Sequence, residues 1–420
     1  MFLARLFMVA SAMLVGVVPR AGATAPGNPE LVTLVERVLA THPSAGAARA
    51  EVDAARSELS ASRWARFPAV SVESFADRRN GGDVSAAISV EQPLWTGGRI
   101  SASIRQSSGR LDAAMASMDE VCLDLAQRAV QAYIDVQRLH RRARILEDSL
   151  VEHRKLVDSM RRRVDQEISP ASDLELAQSR TRQTEIDALQ TEAEAEIAQL
   201  RLRELTGDDS LRIAGVLDYR EEQNAATPAE LLRAALDFDP SARRIAAQAK
   251  IAAAEVSLRK SALMPQLGVR YQHYLGSDSD LDDELGLVFR IQADGGLSRM
   301  SAIKAAKQRE QAASLAIDAA SRERQQIVLA ALTENVTARR RAQAGRDATL
   351  AAKSVTDSFL RQFAAGRRTW PEVLNSVRET ATAELTQIDA EAGAVTSYVR
   401  LLLLSGQWRP DEVQSSEKNR

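Results

Sequence analysis

The chain has 420 residues, of which 27% are charged and only 4% aromatic, and its formal charge of -2 leaves no basic field for nucleic acid or anionic lipid. A single cysteine, Cys122, excludes an internal disulfide framework and a multi-cysteine metal site. Long stretches of Ala, Leu, Arg, Glu and Gln without Pro or Gly predict extended helices joined by thin apolar seams, in place of two or three compact cores.

At the N-terminus, Arg5 precedes an apolar run from Leu6 to Val18, and Ala21-Gly22-Ala23 or Ala23-Thr24-Ala25 supplies a small-x-small cleavage site. Residues 1–25 therefore read as a signal peptide. The run of about 13 apolar residues falls short of the ~20 that span a bilayer as a helix, and no cysteine follows it to carry a lipid. No other segment approaches that length, so any membrane insertion must use β-strands.

Residues 26–207 form a first repeat. It is predicted to run as helix from about Glu30 to Arg66, strands at about 69–76 and 84–94, helix to about Glu167 and helix from Ala171 to Leu205. Ala86, Ile88 and Val90 alternate with Ser85, Ser89 and Glu91, a period of two. From Met115 to Val164 a spacing of three and four passes through Met118, Cys122, Leu125, Ala129, Val136, Leu139, Leu146, His153, Val157 and Met160. That is a coiled-coil seam, in which Cys122 and His153 are seam residues with no catalytic or metal role. At 1.5 Å per residue the long helix would reach about 100 Å, far beyond a compact domain.

A linker at 208–227 leads to a second repeat at 228–406 with strands at about 266–275 and 285–293, and a tail at 407–420. Thr41-His42-Pro43-Ser44 pairs with Phe238-Asp239-Pro240-Ser241, and Arg66-Phe67-Pro68 with Leu263-Met264-Pro265. Downstream, Gly97-Gly98 answers to Gly295-Gly296, Asp173-Leu174 to Glu372-Val373, and Leu205-Thr206-Gly207 to Leu404-Ser405-Gly406. Landmarks that hold register to within two residues mark a duplication. Thr227-Pro228-Ala229-Glu230 and Thr369-Trp370-Pro371-Glu372 read as helix starts, with a capping threonine and a glutamate that closes the box. Gly207 and Gly406 read as stops.

In the second repeat Leu267, Val269 and Tyr271, then Leu285, Leu287, Phe289 and Ile291, form one face of a predicted hairpin. These are the candidate lipid-facing residues: strands of about 9–11 residues with one apolar face match an outer-membrane barrel as well as a soluble hairpin, and the signal peptide and the duplication favour the barrel. Polar loops at 78–83 and 276–284 suit an exposed hairpin end. Four strands cannot close a barrel, so the barrel must be shared between chains, eight strands from two or twelve from three. Trp64, Phe67 and Trp95 fall at strand-to-helix junctions, where an aromatic girdle or ordinary packing would use them.

These features resemble the TolC family of outer-membrane channels over essentially the whole mature chain. Glu91-Gln92-Pro93-Leu94-Trp95-Thr96-Gly97-Gly98-Arg99 is similar to the family's strand-to-helix junction, and Ala365-Gly366-Arg367-Arg368-Thr369-Trp370-Pro371-Glu372-Val373-Leu374-Asn375 to its turn at the periplasmic tip. The second junction keeps Gly295 and Gly296 but lacks the proline and the aromatic, and the first turn, Gln166-Glu167-Ile168-Ser169-Pro170, lacks the glycine. The resemblance implies a mainly α fold with a membrane β-barrel portion: a homotrimer with a twelve-stranded barrel in the outer membrane lipid and an α-helical barrel through the periplasm. It further implies a periplasmic adaptor protein as partner at the tip, through Gly366, Arg367 and Arg368 with Glu167 and Ser169, and an inner-membrane ABC or other pump. Asp357 and Arg361, charged and just before the second turn, become candidates for the periplasmic gate. Pro93, Trp95, Gly97 and Gly98 with Gly295 and Gly296 would form the strand-helix junctions.

The implied function is export, with the tip stretch most similar to channels of type I secretion systems and drug efflux as the other cargo class. A periplasmic coiled-coil adaptor or scaffold is the rival reading; it shares the heptads but needs no duplicated hairpins. An enzyme is excluded by four scattered histidines, His42, His140, His153 and His273, without ligand spacing or a nucleophile motif, and no cofactor is expected.

Overall fold

The computed structural model describes residues 28–77, 83–213, 228–275, 283–291 and 298–410. The expected signal peptide, both hairpin loops, most of the linker, Gly295, Gly296 and most of the tail lie outside these residues.

Asn28 opens helix α1 (Pro29–Thr41), its side chain accepting hydrogen bonds from the backbone N–H of Glu30 and Leu31. The helix expected to continue to Arg66 is interrupted. His42 precedes a proline, whose ring disfavours the helical region for the residue before it, and takes extended angles (φ -66°, ψ 132°). Its Nδ1 then accepts from the N–H of Ser44 and starts α2 (Pro43–Trp64). The second repeat makes the same break, with Asp239 between α5 (Pro228–Asp237) and α6 (Pro240–Ser261).

Each helix pair leads into a hairpin, β1 (Ala69–Asp77) with β2 (Asp83–Trp95) and β3 (Gln266–Leu275) with β4 (Glu284–Arg290). The last strand ends at Arg290 and leaves Ile291 one residue beyond it, while the expected positions 292 and 293 lie outside the described residues. One antiparallel sheet of order β1-β2-β3-β4 results, with the two repeats joined along β2 and β3.

Beyond the sheet run α3 (Arg99–Asp165) and α7 (Ser298–Ala364), each of 67 residues, or about 100 Å at 1.5 Å per residue. Helices α4 (Ala171–Thr206) and α8 (Trp370–Leu404) return alongside them. Left-handed Gly207 and Gly406 close the return helices. Around α3 pack α2, α4, α6 and α8, and around α7 pack α5, α6 and α8.

The main core lies where the ends of α4 and α8 meet α1 and the middle of α3, and it buries Val35, Val38, Leu125, Tyr133, Ile134, Leu202 and Leu403. Fully buried side chains of this size stabilise by roughly 1.5–3 kcal/mol each. The α3 seam is buried at Cys122, Leu125, Ala129, Val136, Leu139, Leu146, His153, Val157 and Met160, whereas Met115 at its start is exposed. Among the described residues, no helix is long and apolar enough to cross a membrane, and no group of side chains could hold a metal ion.

Candidate functional site

Two places carry the chemistry expected of this chain, the sheet with its junction to the helices and the far tip of the long hairpins. In the sheet, register decides which side chains share a face. Leu267 lies opposite Phe289, Val269 opposite Leu287 and Tyr271 opposite Leu285, and the same face continues through Val90 and Ile88 to Val70 and Val72. Val70, Val72, Leu285, Leu287, Phe289 and Ile291 are exposed, Leu285 at 74%. Leu267 and Val269 are half-buried. A contiguous exposed apolar surface of this kind marks contact with a partner or with lipid.

The opposite face is polar. The hydroxyls of Ser71 and Ser89 lie 2.8 Å apart, and Arg270 donates to Glu91 Oε2 from Nε at 3.1 Å and Nη2 at 2.6 Å. This face forms one wall of an open hollow of 440 Å³. Trp64 and Phe67, a tilted pair with ring centroids 5.0 Å apart, are exposed and line that hollow. Trp95 lies instead opposite Leu267, because the register shifts between Pro93 and Trp95. The three aromatics expected at one girdle therefore do not share a face.

At the first junction Gly97 (φ 59°) and Gly98 (φ 86°) turn the chain from β2 into α3. A Cβ on Gly97 would lie 2.3 Å from Cβ of Met264, so the turn tolerates only glycine. Pro93 lies opposite Gly268, and Gln92 beside it donates to the carbonyl of Arg66, tying the junction to the end of α2.

The two turns at the far tip share one geometry. Gly366 (φ 71°) donates to the carbonyl of Phe363 and Arg367 to that of Gln362. Glu167 (φ 56°) donates to Val164 and Ile168 to Arg163, the same pair of bonds. Both are Schellman closures, and the first adopts the left-handed conformation without a glycine. Thr369 and Glu372 form the expected capping box of α8, and hydrogen bonds from the Thr369 backbone and hydroxyl and from Arg368 pull the Glu372 carboxyl down to a pKa of about 2.

Arg367 is exposed, as are Gly366 and Glu167, while Ser169 is half-buried. Arg368 is held within the chain: it donates to Gln362 at 3.1 Å, pairs with Glu372 at 2.6 Å and lies over the Phe359 ring. Asp357 and Arg361 sit exposed one turn apart near the end of α7. A linking residue emerges only from the structure. Trp370, buried against Val157, Met160, Ala177 and Val373, donates from Nε1 to the carbonyl of Asp173 at 3.2 Å and so fastens the second turn to the first. Its place in the capping motif concealed this second role, since nothing in the local sequence shows which helix start lies beside it.

Comparison with known proteins agrees with this arrangement. Residues 34–208, the first repeat, match the family model for outer membrane efflux proteins. The outer membrane efflux protein BepC of Brucella suis is 24% identical over 296 residues, which cover 68% of this chain and 64% of that protein, so the match spans less than two thirds of its length. Among solved structures, a membrane protein from Pseudomonas aeruginosa superposes with a TM-score of 0.79 at 18% identity over 90% of this chain and 94% of that one. VceC from Vibrio cholerae gives 0.78 at 15% identity over 90% and 96%, and the outer-membrane channel OprN 0.73 at 22% identity over 90% of each. Identities this low show the fold alone, which runs through both repeats. With the efflux-protein pattern in its first repeat and the same fold as solved outer-membrane channels through both repeats, the chain is similar to outer membrane efflux proteins.

Proposed function

We propose that three copies of this chain form one conduit through the outer membrane and periplasm. The observation that carries this reading is the sheet: four strands with one exposed apolar face, one polar face, and edge strands β1 and β4 that have no further strand partner within the chain among the described residues. In lipid such edges are tolerated only when another copy pairs with them, because unpaired backbone groups there cost several kcal/mol each. Three copies give twelve strands, with Leu267, Val269, Tyr271, Leu285, Leu287, Phe289 and Ile291 towards lipid and the polar wall lining the channel.

The conduit works with a periplasmic adaptor and an inner-membrane pump, and Glu167, Ser169, Gly366 and Arg367 at the tip are the adaptor contacts. Arg368 serves them indirectly, by holding the second turn. Asp357 and Arg361 act in the gate; Asp158 and Arg162 occupy the matching positions on α3 and present the same charges. Export by type I secretion is supported by the Gly366 to Asn375 stretch, and efflux by the similarity to the outer membrane efflux protein BepC. A deletion strain separates these: loss of a secreted protein supports the first, and drug sensitivity with intact secretion supports the second.

The primary test is the detergent-corrected mass of the protein extracted from outer membranes. Three chains per particle is the expected result. A monomer soluble in the periplasm would overturn the conduit and favour a coiled-coil adaptor.

A further inference from the structure

We infer that the polar wall of the sheet carries a cationic station that attracts acidic groups of whatever passes, an inference that rests on the conduit reading above. Five charged side chains line the hollow, the carboxylates of Glu73 and Glu91 and the guanidiniums of Arg99, Arg270 and Arg290. Register adds Glu284 to the same face, opposite Gln272, so the excess of positive charge is confined to the level of Glu91, where two guanidiniums meet one carboxylate.

The geometry concentrates that excess. Both hydrogen bonds from Arg270 end on Glu91 Oε2, and Arg290 Nη2 stands 3.6 Å from that same oxygen, outside hydrogen-bond distance. One carboxylate thus faces two guanidiniums, hydrogen-bonded to the first and ion-paired at longer range with the second. Gly268 lies beside this group: a Cβ there would meet the carbonyl oxygen of Gln92 at 3.1 Å and Glu91 Cγ and Oε1 at an ordinary contact of 3.7 Å. The side chain of Arg290 remains 46% exposed and that of Arg270 37%, so both are open to solute. Arginine is suited to the task, because its forked donors match carboxylate and phosphate geometry.

Around a shared lumen, three copies repeat the excess at one level, and low-dielectric walls focus such a field. The ligand class is therefore anionic: acidic peptide segments or organic carboxylates and phosphates. Aromatic Trp64 and Phe67 at the end of the same hollow add an apolar contact beside the charges, which favours amphipathic anions over simple ones.

Current block of the purified trimer in planar bilayers tests this, with a short polyglutamate peptide added from the side of the strand loops so that it reaches the sheet before the gate. Arg290→Gln is the milder variant, since that side chain holds Glu91 only by the longer ion pair at 3.6 Å. Block is expected to weaken several-fold in Arg290→Gln and by roughly tenfold when Arg270→Gln is added, within the range of charge-focusing effects. Glu91→Gln should strengthen it. All three differences should shrink in 1 M salt, where the screening length falls to about 3 Å. Equal block of wild type and variants, or equal block by polylysine, would overturn the cationic station while leaving the conduit intact. Absence of trimers and of conductance in the wild type would sink the conduit and the station together.

Discussion

Exchanging the residues at the two left-handed turn positions tests whether one backbone geometry closes both tips. Glu167 holds φ 56° where its counterpart Gly366 holds 71°, and both turns are closed by the same two hydrogen bonds. A residue with a side chain pays about 1–2 kcal/mol to enter this region. Glycine avoids that but loses about 0.5–1 kcal/mol more chain entropy on ordering. Glu167→Gly should therefore stabilise the first turn by about 0.5–1 kcal/mol, and Gly366→Ala should destabilise the second by a similar amount. Nothing lies within 4 Å of a Cβ built on Gly366, so the second effect is one of backbone and not of collision. Since 1.4 kcal/mol is a factor of ten, protection of the turn amides should change by roughly two- to fivefold. Hydrogen exchange read by mass spectrometry on peptides spanning Ile168 and Arg367 measures it, with protection rising in the first variant and falling in the second. If both variants moved in the same direction, or Glu167→Gly lost protection, the shared-geometry argument would be wrong.

Other perturbations address the junction and two titrating groups. Gly97→Ala forces a Cβ to within 2.3 Å of Met264, at a cost of about 2 kcal/mol or more, and should show as a reduced yield of trimer in outer membranes. For Glu372, hydrogen bonds that lower its folded pKa to about 2 contribute stability that is present above the unfolded carboxyl value and lost as pH falls through the folded one. Trp370 fluorescence should therefore change on acidification between about pH 4 and 2, and Glu372→Gln should remove that step. His153 is buried in the α3 seam with Nδ1 unpaired, and burial, then the charge of Arg180, lower its pKa. Folding thus favours the neutral ring, so its contribution is present above the unfolded value near 6.5 and declines as pH falls towards the folded value. His153→Leu should flatten the thermal stability profile between about pH 7 and 5; an unchanged slope would place the acid sensitivity elsewhere.

The repeat plan is legible in sequence because it rests on periodicity and on residues that stop or start a helix. Gly207, Gly406 and the Thr369–Glu372 box announce themselves locally, and the spacing from Cys122 to Met160 marks a seam whatever lies against it. The helix break at His42 was also locally readable, since a proline follows it, but the apolar spacing of α1 and α2 masks it when read as one stretch. Pairwise geometry is a different matter. That Glu91 meets Arg270 and approaches Arg290 depends on the register across three strands, and that Trp370 reaches Asp173 depends on two helix starts coming side by side. Single-strand alternation reports a face, never the neighbour on it.

Register survives between the repeats where seam composition does not, and this difference bears on what holds each long hairpin together. The α3 seam buries Leu125, Val136, Leu139, Leu146, Val157 and Met160, whereas the α7 seam buries Val328, Ala331, Asn335, Ala342, Thr349 and Thr356. Small residues let α7 and α8 approach closely, so that a Cβ on Gly345 would stand 3.1 Å from Cα of Gln387. At roughly 25 cal/mol per Å² of apolar surface, the α7 seam gains less from burial than the α3 seam, and side-chain pairs such as Asn335–Ser397 and Thr356–Thr380 join it to α8. Such bonds exchange readily for bonds to water, at about 1 kcal/mol each. The tip resists separation for another reason, since Trp370 and the Arg163–Phe363 contact join the ends of both hairpins. The two turns are thereby tied to each other as well as to their own helices.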